Sequence, residues 1–216
     1  MAEQQISKDF KAWVGDSDMP AGKKKVVLAA LGLFSKQGFD GTSTQEIAKE
    51  SGMSQATIFK YFKTKEELLY FIITPLMQNI MPVYVDDFQN SMKDHGNSLE
   101  SLIHYVIRSR YYFIADNREV ASIVISEILT KDNVKAKFLE LIGERGPRII
   151  NVLTNLIEKS GEVRSDVTPE SIVRLMVSQI LFYFLQNYKI FEPKSDKQVE
   201  EDLDEIEELV IRAIKK

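Results

Sequence analysis

The segment TQEIAKESGMSQATIFKY, residues 44–61, holds the side chains of this chain best suited to chemistry, and that chemistry is recognition. A glutamine amide pairs with the edge of a base, while hydroxyls, ammonium groups and helix N-terminal amides reach phosphate oxygens. Gln55 stands at the start of a helix-length run. Thr44, Tyr61, Lys63 and Lys65 lie at the ends or flanks of such runs. Catalysis has less to work with. There is no Gly-x-Ser-x-Gly, no phosphate-binding glycine loop and no cysteine, and His95 and His104 are the only histidines. Thiolate chemistry, disulfides and Cys-based zinc are excluded, and no enzyme, metal or cofactor is expected. The acidic run from Glu200 to Glu208 lacks the central glycine of a calcium loop and reads as a solvated helix face.

Positioning these groups requires two short helices at a steep angle. The first is expected from Ser43, whose pairing with Glu46 three residues on makes a capping box, to about Ser51–Gly52. The second runs from Ser54 to Phe62. Only Gly52-Met53-Ser54 joins them, with Gly52 supplying the left-handed turn and small Ala48 allowing close approach. Ile47, Met53 and Ile58 form the facing sides. A helix over Lys23–Gln37, stopped by Gly38, completes a three-helix unit, and a fourth helix begins at a second capping box, Thr64 with Glu67. Pro75 and Pro82 are expected to kink or end that helix.

The rest also reads as helix, with no alternating runs of strand length. Expected helices cover 98–115, 119–130, 133–144, 147–159 after an interruption at Gly146–Pro147, 168–190 behind the Thr168–Pro169 start signal, and 195–215 behind Ser195 and Gln198. The 168–190 helix is apolar nearly all round, so burial on every side is expected. The fold class is therefore all-α. The organisation expected is a mobile arm over 1–21, with a short amphipathic turn around Phe10, Trp13 and Val14, a DNA-binding domain over 22–65 and a helical body over 66–216.

Charge supports that division. The formal net charge is −4, yet residues 22–65 carry eight lysines against three acids, Asp40, Glu46 and Glu50. The acidic excess lies elsewhere, so only the basic segment is suited to a polyanion. The start MAEQQISKDFKAW lacks the features of a secretory signal, and the longest apolar run, Val26–Phe34, is far below the roughly 18 residues that span a bilayer. A cytoplasmic protein without membrane contact is expected.

Residues 24–69 resemble the TetR family of transcriptional regulators. The resemblance rests on Ala29-Ala30, Leu33-Phe34, Gly38, Thr42-Ser43, Ile47-Ala48, Gly52-Met53-Ser54, Phe59 to Phe62 and Lys65 to Leu68. Two departures are Ala56-Thr57 in place of the family's common Gly-Thr, and Phe59 in place of a frequent tyrosine. By resemblance, Ser43, Thr44 and Gln45 meet the duplex from the first helix of the pair. Gln55, Ala56, Thr57, Lys60 and Tyr61 form the reading face, Lys63 lies on the flank, and Lys65 holds a phosphate. Lys23, Lys24 and Lys25 are minor-groove candidates.

The resemblance also implies a body that binds a small molecule and pairs two subunits through the last two helices. A cavity there would be lined from His104, Tyr105, Tyr112, Met176, Phe182 and Tyr183; core packing is the competing reading of each. The expected function is that of a ligand-responsive regulator, a repressor by resemblance, binding a double-stranded, palindromic DNA operator as a homodimer. Pendulum motion of the fourth helix, Thr64 to about Met81, is the expected coupling. A small-molecule carrier or interaction module keeping the helix pair as scaffold is the alternative.

Overall fold

The computed structural model describes residues 11, 13–75, 81–95 and 98–216, the side chains of 81–85, 89 and 145 excepted. The regular elements among them are helices: α1 (Ala21–Gln37), α2 (Thr44–Ser51), α3 (Gln55–Tyr61), α4 (Lys65–Pro75), α5 (Met81–Asp94), α6 (Leu99–Asp116), α7 (Arg118–Thr130), α8 (Asp132–Ser160), α9 (Pro169–Leu185) and α10 (Asp196–Ile214). A π-helical turn, Gln186–Ile190, follows α9 directly. Strand pairing among the described residues is limited to one isolated antiparallel bridge, Val163 with Lys215. The fold is all-α, with an N-terminal helix-turn-helix and a larger helical remainder.

Local chemistry sets the helix starts. Ser43 Oγ accepts from the Glu46 N–H at 3.2 Å while Glu46 Oε2 accepts from the Ser43 N–H at 2.7 Å, so two end donors of α2 are satisfied reciprocally. Ser54 caps α3 through the Thr57 N–H at 3.1 Å. Thr168 caps α9 ahead of Pro169, and Ser195 with Gln198 forms the capping box of α10.

Packing divides the chain into two units, Met1–Val83 with Asp116–Leu141, and Tyr84–Ala115 with Ile142–Lys216. In the first, α1 lies against α2, α3, α4 and α7. Its buried side chains include Val27, Leu31, Phe34, Ile47, Ile58, Phe62, Leu69, Ile72 and Ile123. This differs from a division at residue 65. Leu68, Leu69, Ile72 and Ile73 of α4 are fully covered in this unit, and Tyr70 and Thr74 accept hydrogen bonds from Asn133 and Lys137 at 3.3 and 2.9 Å. The second unit has its own core, drawn from α5, α6, the later part of α8, α9 and α10, with Ile103, Ile107, Tyr111, Leu153, Ile172, Met176, Leu203 and Val210 at its centre.

Four expectations change. The arm is not free along its described part: residues 13–16 are helical, Val14 is wholly buried, Lys11 pairs with Glu119 at 2.7 Å, and Pro20 stands at the N-cap position of α1 without a side-chain cap bond; Phe10 lies outside the described residues. Helix α4 is described only to Pro75, and Pro82 falls in the first turn of α5; residues 76–80, where the coupling helix was expected to continue, lie outside the described residues. Pro147 does not interrupt α8. A proline removes one N–H and crowds the carbonyl four residues back, here that of Gly143; both residues are exposed, so the freed carbonyl stands on the solvent side of a helix that continues. Last, α9 is not buried all round, since Val177 and Phe182 are 52% and 57% exposed.

Candidate nucleic-acid interface

Between α1 and α2 the chain turns through Gly41, where a Cβ would stand 2.4 Å from the Gln37 carbonyl oxygen. Gln37 Nε2 donates to the Gly41 carbonyl at 2.9 Å and to Glu46 Oε1 at 3.1 Å, which fixes the entry to α2. Glu46 is fully exposed, yet the Ser43 N–H, the Ser43 hydroxyl and Gln37 together hold its carboxyl down at about 2. The Ser43 hydroxyl is thus spent on the cap. In this turn Thr44 is half-buried and Gln45 exposed, as are Asp40, Gly41 and Ser43.

The turn between α2 and α3 uses Gly52 in the left-handed conformation, φ 68°, with its N–H on the Ala48 and Lys49 carbonyls. The Met53 N–H also reaches the Ala48 carbonyl, at 3.1 Å. Ile58 and Phe62 then face the core. Gln55, Ala56, Phe59, Lys60 and Lys63 are exposed. Two expected reading residues turn partly inward. The Thr57 hydroxyl lies 2.9 Å from Ser54 Oγ, and the Tyr61 hydroxyl sits over Gly22, where a Cβ would be only 2.8 Å from it. Phe59, not among the site residues expected from sequence, is 47% exposed in the middle of this surface. Its sequence signals were an aromatic residue outside the inward spacing of Ile58 and Phe62, and the frequent tyrosine of the resembled family at this position.

Several flanking lysines are engaged within the first unit. Lys65 donates to the Phe39 and Thr42 carbonyls, both at 2.7 Å, and its ammonium stands 4.2 Å from the centre of the Phe39 ring. Lys65, expected to hold a phosphate, thus makes an internal tie to two buried residues, the Phe39 carbonyl also accepting from the Thr42 N–H at 3.2 Å. Lys23 lies over the Phe62 and Phe71 rings at 4.9 and 4.4 Å, and Lys24 donates to the Gly15 carbonyl. Lys25, Lys60 and Lys63 remain exposed.

The side chains expected to line a small-molecule cavity fall into three groups within the second unit. His104 and Tyr112 belong to a polar ladder between α6 and α10. His104 Nδ1 is 2.9 Å from Glu207 Oε2, Arg108 pairs with Glu200, Asp204 and, at 2.7 Å, Glu207, and the Tyr112 hydroxyl donates to Glu200. Burial and the bond to Glu200 push the Tyr112 phenol up from its ordinary range. Met176 and Tyr183 lie in the core, with the Tyr183 hydroxyl donating to Asp202 at 2.6 Å, while Tyr105 stacks on His95 and Phe88 at 4.1 and 5.8 Å. Phe182 lies apart from these groups. One position from inward-facing Tyr183, it is turned about 100° away on the outer arc of α9. Among the described residues no group of three His, Cys, Asp or Glu side chains forms a metal site, and no helix is long and apolar enough to cross a membrane.

Comparison with known proteins bears on this geometry. Residues 26–70, spanning α2, α3 and most of α1 and α4, match the family model for bacterial regulatory proteins of the tetR family. The fatty acid metabolism regulator protein of Bacillus subtilis is 25% identical over 146 residues, covering 65% of this chain and 70% of that protein. The uncharacterized HTH-type transcriptional regulator YerO of Bacillus subtilis is 25% identical over 120 residues, 53% of this chain; the chain spans only 39% of YerO's length. The solved structure of the fatty acid degradation regulator FadR from Bacillus halodurans superposes with a TM-score of 0.58 at 17% identity, over 91% of this chain and 97% of that one, a likeness of fold.

Proposed function

Because this chain belongs to the TetR family, as a transcriptional regulator rather than an enzyme, we propose that it is a homodimeric repressor that binds a palindromic operator and is released by a small molecule. The observation that carries the reading is the outward arc of α3. Gln55, Ala56 and Lys60 are exposed on a capped second helix whose opposite side is buried against the first unit. Such a helix enters the major groove and presents an amide and an ammonium to base edges and phosphates. Gln45 and Thr44 at the start of α2, with Lys63 beyond α3, supply the backbone contacts that set its register. Two copies are needed, since half-sites about 34 Å apart match successive major grooves.

The second unit supplies the pairing surface and the effector site in this reading. Val177 and Phe182 on α9 and Leu209 on α10 are more than half exposed, and a second subunit covers them. Two of the named relatives regulate fatty acid metabolism or degradation, so acyl compounds are the first effector class to test. The effector works by its differential affinity for DNA-competent and incompetent states.

The test is selection of random duplex DNA by the full chain at two salt concentrations, followed by titration of the recovered duplex with acyl compounds. A recovered palindrome, bound more weakly at higher salt, is expected. No enrichment at either salt overturns the reading in favour of a carrier that keeps the helix pair as scaffold.

A further inference from the structure

Phe59 occupies the centre of the exposed arc of α3. At 3.6 residues per turn, Gln55 lies roughly 40° to one side of it, Ala56 roughly 60° to the other, and Lys60 roughly 100° away on that same side. Ile58, roughly 100° from Phe59 on the Gln55 side, and Phe62 just past the end of the helix are each 2% exposed, whereas the phenyl of Phe59 is left 47% exposed. A large apolar ring left half-exposed among polar and basic side chains is only partly accounted for by the packing of the first unit. Its surroundings state the partner: an amide at Gln55 and ammonium groups at Lys60 and Lys63 suit a polyanion with base edges. In the major groove, the apolar feature a ring meets is the C5-methyl of thymine.

We propose that Phe59 reads a thymine methyl in the operator, so that each half-site carries a thymine whose methyl group is sensed by this ring. The assignment rests on the regulator reading above and adds a base identity to it. A tyrosine hydroxyl at this position would offer a phosphate a hydrogen bond; the phenyl has none to give and contributes through apolar contact alone.

The experiment uses the full chain and the operator recovered by selection. Each thymine is replaced in turn by deoxyuridine, which keeps the pairing and removes only the methyl. Binding is measured for the unaltered chain, Phe59→Ala and Phe59→Leu. The expected result is one thymine per half-site at which the replacement weakens the unaltered chain about fourfold, the worth of one buried methyl-sized group. That sensitivity disappears in Phe59→Ala and persists in Phe59→Leu, while binding to unrelated duplex is the same for all three. Equal weakening of operator and unrelated duplex by Phe59→Ala, with no thymine at which the replacement matters, overturns the proposal. The same holds if the methyl-sensitive thymines stay sensitive in Phe59→Ala. Thermal unfolding of each variant separates a folding loss from a reading loss. Recovery of no operator at all overturns the regulator reading and this assignment with it.

Discussion

Lys65 shows how much a side chain's role depends on groups far away in sequence. Its ammonium bridges the carbonyls of Phe39 and Thr42, 26 and 23 residues earlier, and covers the Phe39 ring. Hydrogen bonds to a charged donor contribute about 1.5–3 kcal/mol, so Lys65→Met should lower the stability of the protein by about that amount in urea titration. If stability holds and the salt slope of DNA binding falls by about one, Lys65 is a phosphate contact after all. Glu127 gives a second test at this scale. Its carboxylate is almost wholly buried on α7, 3.9 Å from Lys131, with Oε2 lacking a hydrogen-bond partner. Burial raises its pKa above the ordinary 4.5; Lys131 opposes this and Asp40 adds to it. The folded state therefore holds this proton more tightly than the unfolded chain, and this group's contribution to stability falls as pH rises from about 4.5 to the raised value. Glu127→Gln cannot lose the proton, so its urea midpoint should gain on that of the unaltered chain between pH 5 and pH 8; a gap that shrinks over that interval would refute the assignment. The residues legible in sequence, Ser43 with Glu46, Gly52, and Ser195 with Gln198, all act on neighbours within five positions. The internal contacts of Lys65 and Tyr61 and the exposure of Phe59 were not legible, because they are set by tertiary packing.

At the scale of elements, the helices were readable wherever a local start or stop signal stood alone, and misread where a signal met a compensating environment. The caps at Ser54, Thr168 and Ser195 start helices as expected. Pro147 did not stop one, because a proline's penalty depends on whether the freed carbonyl meets water, which sequence does not state. This has a measurable consequence. If α8 runs unbroken through Pro147, the proline is a standing penalty within a helix, and Pro147→Ala should raise stability by up to about 3 kcal/mol. Were the chain divided there into two helices, the same substitution would be neutral or destabilising, since the proline would fit the new helix start. Urea titration with far-UV circular dichroism decides between them. Gly41 is the converse case. Nothing in FDGTS announces that a Cβ would meet the Gln37 carbonyl oxygen, yet the entry to α2 depends on that space.

For the whole molecule, the charge division and the packing division serve different ends. Basic residues gather before Glu66, in the segment proposed to meet DNA, whereas the first packed unit also recruits α7 and the beginning of α8. The recruited helices contribute Val120, Ile123 and Val134 to burial there, so the segment proposed to read DNA is not the whole of the unit that folds around it. Pairing of subunits is the remaining question at this scale, and the outer arc of α9 poses it. Phe182 is 57% exposed, and its removal leaves no hole in the core of the second unit. Phe182→Glu should therefore keep its thermal midpoint against proteolysis-resistant folded controls but place a buried, unpaired carboxylate in a two-fold contact, where it is met by its own copy. Size-exclusion with light scattering should show a dimer for the unaltered chain and a monomer for this variant. Operator affinity should fall by about 10²–10⁴, the gain that linking two half-site contacts supplies, while affinity for a single half-site stays unchanged. A variant that remains dimeric with full operator affinity would place the subunit contact on another surface and leave Phe182 as an exposed ring without a partner in the assembly.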